Sequence, residues 1–536
     1  MIQGNVLAGS GYQITNSVRL RAAASAYFSR TFGAGGDRDK WWILIPDKRS
    51  TLGATQYLFG SDTASADAIY FNSSDKICVD IAGTNRLIST RVFCDPSAWG
   101  AFLVVFDASN GTNDLKLRVY YIDNGFAEIT AWDTNTRSGI TAGTAKTTLN
   151  TVAAVIGKNP TAASGYFDGY LSHFHIGTWS SSQPTPASFG GTDSNGVWVF
   201  SGASSAYGAQ GSKLDFEDVA LTSGSNVGLG KDVSGNGNYW TTNNISVTDG
   251  VTYDGMVDTP TNNYPTWLPQ QGGQTWTFSN GALAVVNGNG GSFAYSCIAT
   301  QAVSSGKWYW EVQCLDAGGT ASGVPGVGIM NVTRYLLDTS QSVRPDVFLS
   351  GNGTIANSAG TALQSGFGNT IANDIVGVAL DAGAKTVQFY RNGSALGTAQ
   401  SYSPDTIAPS FYSYSGYDGI GNFGQRPFTY TPPTGFQALC TANLQPPVAP
   451  TASGSFTGNG AVDGPFVWIG GVPTTLTING NAVTFGTHAD KTAGGFKLRT
   501  SSASYNTAGS NTWTATFASP STKSAFSVPQ TAQGNP

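Results

Sequence analysis

Charge is what this 536-residue chain has least of: 11% of its residues are Asp, Glu, Lys or Arg, against about a quarter in an average soluble domain. No basic block exceeds two residues and the formal net charge is −5, so the positive field that a phosphate backbone requires is absent and a DNA- or RNA-binding role is excluded. No apolar run approaches the roughly 20 residues needed to cross a bilayer as a helix, and no membrane insertion is expected. The start shows no positive stretch leading into an apolar core and cleavage site, so no secretion signal is expected either. Cysteine is scarce: Cys78, Cys94, Cys297, Cys314 and Cys440 lie far apart, form no CxxC pair, and are odd in number. They read as buried free thiols, the alternative being a disulfide such as Cys297 with Cys314. Phosphate-binding Walker loops, serine elbows, heptads and β-helix repeats are all missing, so no enzyme is expected.

What the chain has is Gly, 69 residues of it, with abundant Ser, Thr and Asn, which makes an uncharged polar surface over apolar cores. Reduced thiols under such a surface fit a protein made in a reducing cytoplasm that works outside the cell. The length predicts three or four domains. Alternating apolar and polar residues broken by Gly predict short antiparallel strands throughout, hence an all-β chain of several β-sandwiches. Residues 18–29 are the one short helical candidate.

The runs 306–313 (GKWYWEVQ), 326–329 (GVGI), 375–381 (IVGVALD), 386–393 (TVQFYRNG), 409–412 (PSFY) and 421–424 (GNFG) resemble, in order and wording, a SPRY domain. That resemblance implies a β-sandwich whose loops bind partners, over residues 270–443. Earlier, 41–46 (WWILIP), 101–107 (AFLVVFD), 115–125 (LKLRVYYIDNG) and 165–172 (GYFDGYLS) read as strands. Their order resembles a laminin-G or concanavalin A-like jelly roll over residues 1–189. Between the two, residues 190–269 read as a turn-rich connector. Its wording, 232–240 (DVSGNGNYW) and 258–264 (DTPTNNY), is similar to tail or fibre proteins of tailed bacteriophages. After a Pro-rich linker at 444–455, residues 456–536 read as a small C-terminal β domain. Its opening FTGNG resembles a module that accompanies SPRY-like domains in such tail proteins.

Several residues invite chemistry. Tyr402, Tyr412, Tyr414 and Tyr417 with Asp418 crowd the late SPRY-like loops and are candidate ligand contacts, since aromatic faces suit sugar rings or a protein partner, the alternative being that half of them fill the sandwich core or a subunit interface. Asp107, Asn110, Asn113 and Asp114 offer oxygen ligands of the kind calcium takes, against an ordinary Asx-rich turn. His173 and His175 alternate on one strand, so they share a face; a metal pair competes there with two polar positions facing solvent, the reading preferred. Asp215, Glu217 and Asp218 are acids of the type a glycosidase needs, in a segment that reads as a solvated loop.

The phage resemblance implies a virion protein, made in the host cytoplasm and carried on the tail. As a tail fibre it would be a receptor-binding, lectin-like homotrimer used in host adsorption, touching a host cell-surface glycan or protein and other virion tail proteins. A structural tail, baseplate or head-decoration subunit is the alternative, and a polysaccharide depolymerase the third reading.

Overall fold

A computed structural model describes residues 12–61, 64–122, 126–143, 148–192, 198–202, 205–268, 276–288, 294–316, 325–337, 343–413, 416–444, 451–462, 464–468, 473–492, 495–517 and 526–527. The architecture is all-β, built from several sandwich sheets. Two compact units divide the chain: Met1–Leu444 with Ala525–Pro536, and Gln445–Ser524.

In the larger unit the first sandwich packs a nine-stranded sheet against an eight-stranded one. Its central strand, Lys40–Arg49, is buried along nearly its whole length. Side chains alternate across a strand, and here both faces are apolar. Trp41, Ile43 and Ile45 enter the main core, while Trp42 and Leu44 enter a second cluster with Phe189, Trp198 and Phe200. The outer face is covered by the turn-rich segment, whose Ala206 carbonyl accepts the Trp42 indole N–H at 3.0 Å.

That segment is therefore part of the first sandwich. Ser212–Leu214 pairs with Phe174–Thr178, Thr241–Asn243 with Tyr27–Thr31, and Gly255–Met256 with Ser17–Leu20. Asp232 organises the DVSGNGNYW turn by accepting N–H groups from Lys213, Ser234 and Asn238. Trp240 closes it, fully buried, with its indole N–H on Ser212 Oγ at 2.9 Å.

Residues 18–29 are not a helix. Ser17–Leu20 and Tyr27–Thr31 are strands and only Ala22–Ala24 makes a 3₁₀ turn, because Val18 and Leu20 point into the core and Arg19 between them is held by Asp254. Asn113–Lys116 forms a short helix before Leu117–Ile122, and the expected Asn-Gly turn at 123–125 lies outside the described residues.

The second sandwich stacks an eight-stranded sheet on a six-stranded one. Lys307–Cys314 and Ile375–Asp381 are neighbours. Gly326–Asn331 is flanked on both sides, by Ile407–Ser413 and Val347–Ser350, and so lies inside its sheet. The Asn-Gly turn at 392–393 has φ of 50° and 80°, the left-handed pair that a tight hairpin turn requires. Phe526–Ser527 adds to this unit by pairing with Gln301–Ala302.

The seam between the sandwiches is polar and dry. Lys48 Nζ donates to Asp258 Oδ2 (2.9 Å), Asn263 Oδ1 (2.7 Å) and the Tyr264 carbonyl (2.6 Å). Trp99 Nε1 donates to Asp258 Oδ1 at 2.8 Å. Arg19 and Arg21 converge on Asp254, and the Tyr170 hydroxyl reaches the Gly281 carbonyl at 2.8 Å. Asn263 spans the seam, donating to Ser97 O and Thr441 Oγ1 and accepting from Gln301. The DTPTNNY motif thus joins the two sandwiches, beside an apolar contact in which Trp99, Tyr170 and Met256 enter the core of the second.

One buried carboxyl is unbalanced. Asp47 is 4% exposed, its Oδ1 has no hydrogen-bond partner among the described residues, and burial pushes it up to about 7 against the pull of Arg49. A raised carboxyl pKa means its stability contribution is complete below the unfolded value near 4 and lost as pH climbs to about 7. Asp47→Asn is expected to raise stability at pH 8 by roughly 2–4 kcal/mol and to change little at pH 4, read by urea titration at both pH values.

In the smaller unit, four- and three-stranded sheets enclose Leu476, Ile478, Phe496, Leu498 and Trp513. Thr451–Gly458 is already a strand, so the linker expected at 444–455 is shorter than its composition implied; residues 445–450 lie outside the described residues. All five cysteines are free, with only Cys94 exposed.

Candidate functional site

The aromatic candidates of the second sandwich divide by burial. Tyr402 is 9% exposed and belongs to the main core, where burial pushes its hydroxyl up to about 12. Tyr412, 5% exposed on Ile407–Ser413, packs against Phe348 with ring centroids 5.7 Å apart. Offered as ligand contacts against a place in the core or an interface, both are buried: Tyr402 follows the strand Ser394–Ser401 into the main core, and Tyr412, on the face opposite Phe411, is covered by a small cluster of its own. Tyr414 lies outside the described residues.

Tyr417 and Asp418 remain at the surface. Tyr417 leans half-buried on the Tyr412 cluster. Asp418 opens the strand Asp418–Asn422; its N–H donates to Asp316 Oδ2 at 2.8 Å and its carbonyl accepts the Leu315 N–H at 3.0 Å. Burial, then the charge of Asp316, raises the Asp418 carboxyl, whose Oδ1 has no hydrogen-bond partner among the described residues. Asp316 escaped notice because it follows Lys307–Cys314 singly, and only the fold brings it to Asp418.

The suggested calcium loop is an Asx turn. Asp107 Oδ1 accepts the N–H (3.1 Å) and hydroxyl (2.6 Å) of Ser109, and Asn110 Oδ1 accepts the Thr112 N–H at 2.9 Å. Asp114, 74% exposed, is paired with Arg137 at 2.7 Å. The Asp107 and Asn110 oxygens are turned to donors, Asp114 to a guanidinium, and the three do not converge on a cation. Among the described residues no group of three or more His, Cys, Asp or Glu is arranged to hold a metal.

His173 and His175 do not face solvent. Each is 4% exposed, under the covering segment beside Tyr12, Phe189, Phe200 and Lys213. His175 Nδ1 meets the Tyr207 hydroxyl at 3.0 Å and its Nε2 lies 3.4 Å from His173 Nδ1. Burial, with Lys213 adding to it, lowers His173 to about 3, and burial, His173 and Lys213 hold His175 well below the imidazole range. Burial thus favours the neutral form of both rings. The missing signal was the covering segment, which no strand pattern reveals. Nearby, Glu217 accepts the Thr15 hydroxyl at 3.1 Å, Asp215 the Glu217 N–H at 3.3 Å, and Asp218 the Gly228 N–H at 2.8 Å. Asp215 and Asp218 cap turns while Glu217 holds the distant Thr15, so the three are spent on separate donors.

The strands from Lys307 onward are covered by a family match over residues 307–426. That segment is a SPRY domain. A curated protein, the ATP-dependent RNA helicase DDX1 of Xenopus laevis, is 27% identical over 152 residues, which is 28% of this chain and 19% of that protein. The chain thus spans less than a fifth of that relative. Among solved structures, the SPRY domain of human HERC1 is 17% identical, covers 29% of this chain and 96% of its own, and gives a TM-score of 0.24. The heptameric SAP-like pentraxin of Limulus polyphemus is 15% identical, covers 31% and 77%, and gives 0.22.

Proposed function

We propose that the chain is a virion protein of a tailed bacteriophage, a tail fibre whose sandwich domains contact a glycan or protein on the host surface. The observation that carries this reading is the seam. The two motifs similar to phage tail proteins are the ones that cover the first sandwich and lock it to the SPRY domain, with Asp258 wholly buried and Asn263 nearly so. The similarity therefore concerns a two-sandwich body and not an interchangeable loop. An uncharged polar surface supports a role outside the cell, and a homotrimer is the assembly proposed.

Exposed Leu337 (77%) and Ile371 (63%) on the SPRY domain favour a second reading, a tail, baseplate or head-decoration subunit that docks on other virion proteins. The test is labelled, purified protein offered to intact bacteria and scored for inhibition of phage adsorption. Saturable binding to one strain with blocked infection is the expected result. Failure to bind a strain that the phage infects would transfer the proposal to the second reading.

A further inference from the structure

The first sandwich carries a row of tyrosines on the outer face of its eight-stranded sheet. Leu58, Ile69 and Val79 point inward, so alternation turns Tyr57, Tyr70 and Asp80 outward. Tyr57 and Tyr70 are cross-strand partners, stacked with centroids 4.7 Å apart and planes 21° apart. The loop before Gly169–Leu171 extends the row. Its Gly165 accepts the Tyr57 N–H at 3.0 Å, and a Cβ on Gly165 would meet the Tyr57 ring at 2.7 Å, on a backbone with φ of 61°. Only glycine lets that loop approach. Tyr166 then lies 6.3 Å from Tyr27, over which Lys158 Nζ sits at 4.9 Å. All four tyrosines are half-buried.

Polar groups line the Tyr70 end. Its hydroxyl donates to Asp80 Oδ1 at 3.4 Å and accepts from Asn85 Nδ2 at 2.9 Å, and Asn85 also donates to Asp80. Asn85 itself is exposed.

We propose that the Tyr27, Tyr166, Tyr57 and Tyr70 row is a glycan-binding surface that takes a chain of uncharged pyranose units. It deepens the host-contact reading and rests on it. Tyr57 and Tyr70 stack on each other and Lys158 covers one face of Tyr27, so the half-buried row offers its remaining exposed ring atoms to the C–H groups of sugars, while Asp80, Asn85 and Lys158 carry donors and acceptors for ring hydroxyls. A nucleic acid would meet Asp80 and a net charge of −5, and a protein partner, whose hot spots also favour tyrosine, would leave a polysaccharide array blank. No sequence signal isolates the row, because its members come from three strands and a loop.

The test uses the full chain on an array of immobilised bacterial O- and capsular polysaccharides, with adsorption to whole cells measured in parallel. The native chain is expected to bind at least one polysaccharide. Tyr57→Ala with Tyr70→Ala is expected to weaken that binding by about tenfold or more, the loss of one stacking contact. Asn85→Ala, on an exposed side chain that leaves the fold intact, is expected to weaken it less, and Tyr70→Phe to keep the stacking. No binding to any array polysaccharide, or unchanged binding by the double variant with Asn85→Ala also silent, overturns the inference. Cell adsorption that survives the double variant overturns the row while leaving host contact standing. Polysaccharide binding lost in the variant, without adsorption to any strain, supports the row and removes the host-contact reading.

Discussion

Lys48→Ala is expected to destabilise the larger unit by about 3–5 kcal/mol, the cost of leaving one member of a buried ion pair uncompensated. Both partners have no exposed side-chain surface. Burial pulls the Lys48 ammonium down and pushes the Asp258 carboxyl up, and each charge offsets the other's displacement. The three Lys48 N–H donors have three acceptors, and Asp258 Oδ1 holds Trp99 and the Tyr264 N–H besides. Truncating the lysine leaves Asp258, Asn263 and the Tyr264 carbonyl dry and short of a donor. Because these groups belong to the seam, calorimetry should show more than a lower Tm: the single transition of the coupled sandwiches should divide in two. Replacing both Lys48 and Asp258 by apolar residues of similar size should recover most of the loss. A single variant within about 1 kcal/mol of the native chain would mean that the seam is solvated.

The second large effect is acid sensitivity. For a histidine whose folded pKa is depressed, the stability contribution is present above the unfolded value near 6.5 and lost as pH falls towards the folded value, which is about 3 for His173. Each such imidazole removes about 1.4 kcal/mol per pH unit across that window, and His175 is displaced in the same direction. Urea midpoints for the larger unit should therefore drop steeply between pH 6.5 and 4.5. His173→Gln with His175→Gln should flatten the profile. Asp47 acts in the opposite sense over its own window, from about 4 to 7, so the cleanest comparison is made in an Asp47→Asn background. A native profile flat down to pH 4.5 would show that the covering segment admits water to the pair.

The strands were legible wherever alternation is local. WWILIP, AFLVVFD and KWYWEVQ each fall within a strand, and the Asn392-Gly393 turn follows from its own dihedral demand. What escaped was set by contacts distant in sequence. Val18 and Leu20 read as helical because their pairing partners, Gly169–Leu171 and Gly255–Met256, are far along the chain. His173 and His175 read as solvent-facing because alternation fixes that two residues share a face but not whether something covers it. Tyr402 and Tyr412, offered as ligand contacts against a place in the core, are buried for the same reason, and the Asp107 loop is the Asx-rich turn weighed against calcium, its oxygen held by Ser109. Among the described residues of the candidate site, Tyr417 and Asp418 keep the position expected of them, and Tyr57 and Tyr70 carried no mark at all.

The seam also sets a timetable for synthesis. Lys48 and Asp258 are 210 residues apart, and at about 5–20 residues per second the ribosome needs roughly 10–40 s to make the partner after the lysine. Until then the ammonium lacks its buried acceptor, although the flanking strands Gly100–Asp107 and Phe174–Thr178 are both made before residue 258. A chain ending before residue 258 is accordingly expected to leave Lys48 without its charge partner and to fold less stably than the whole unit.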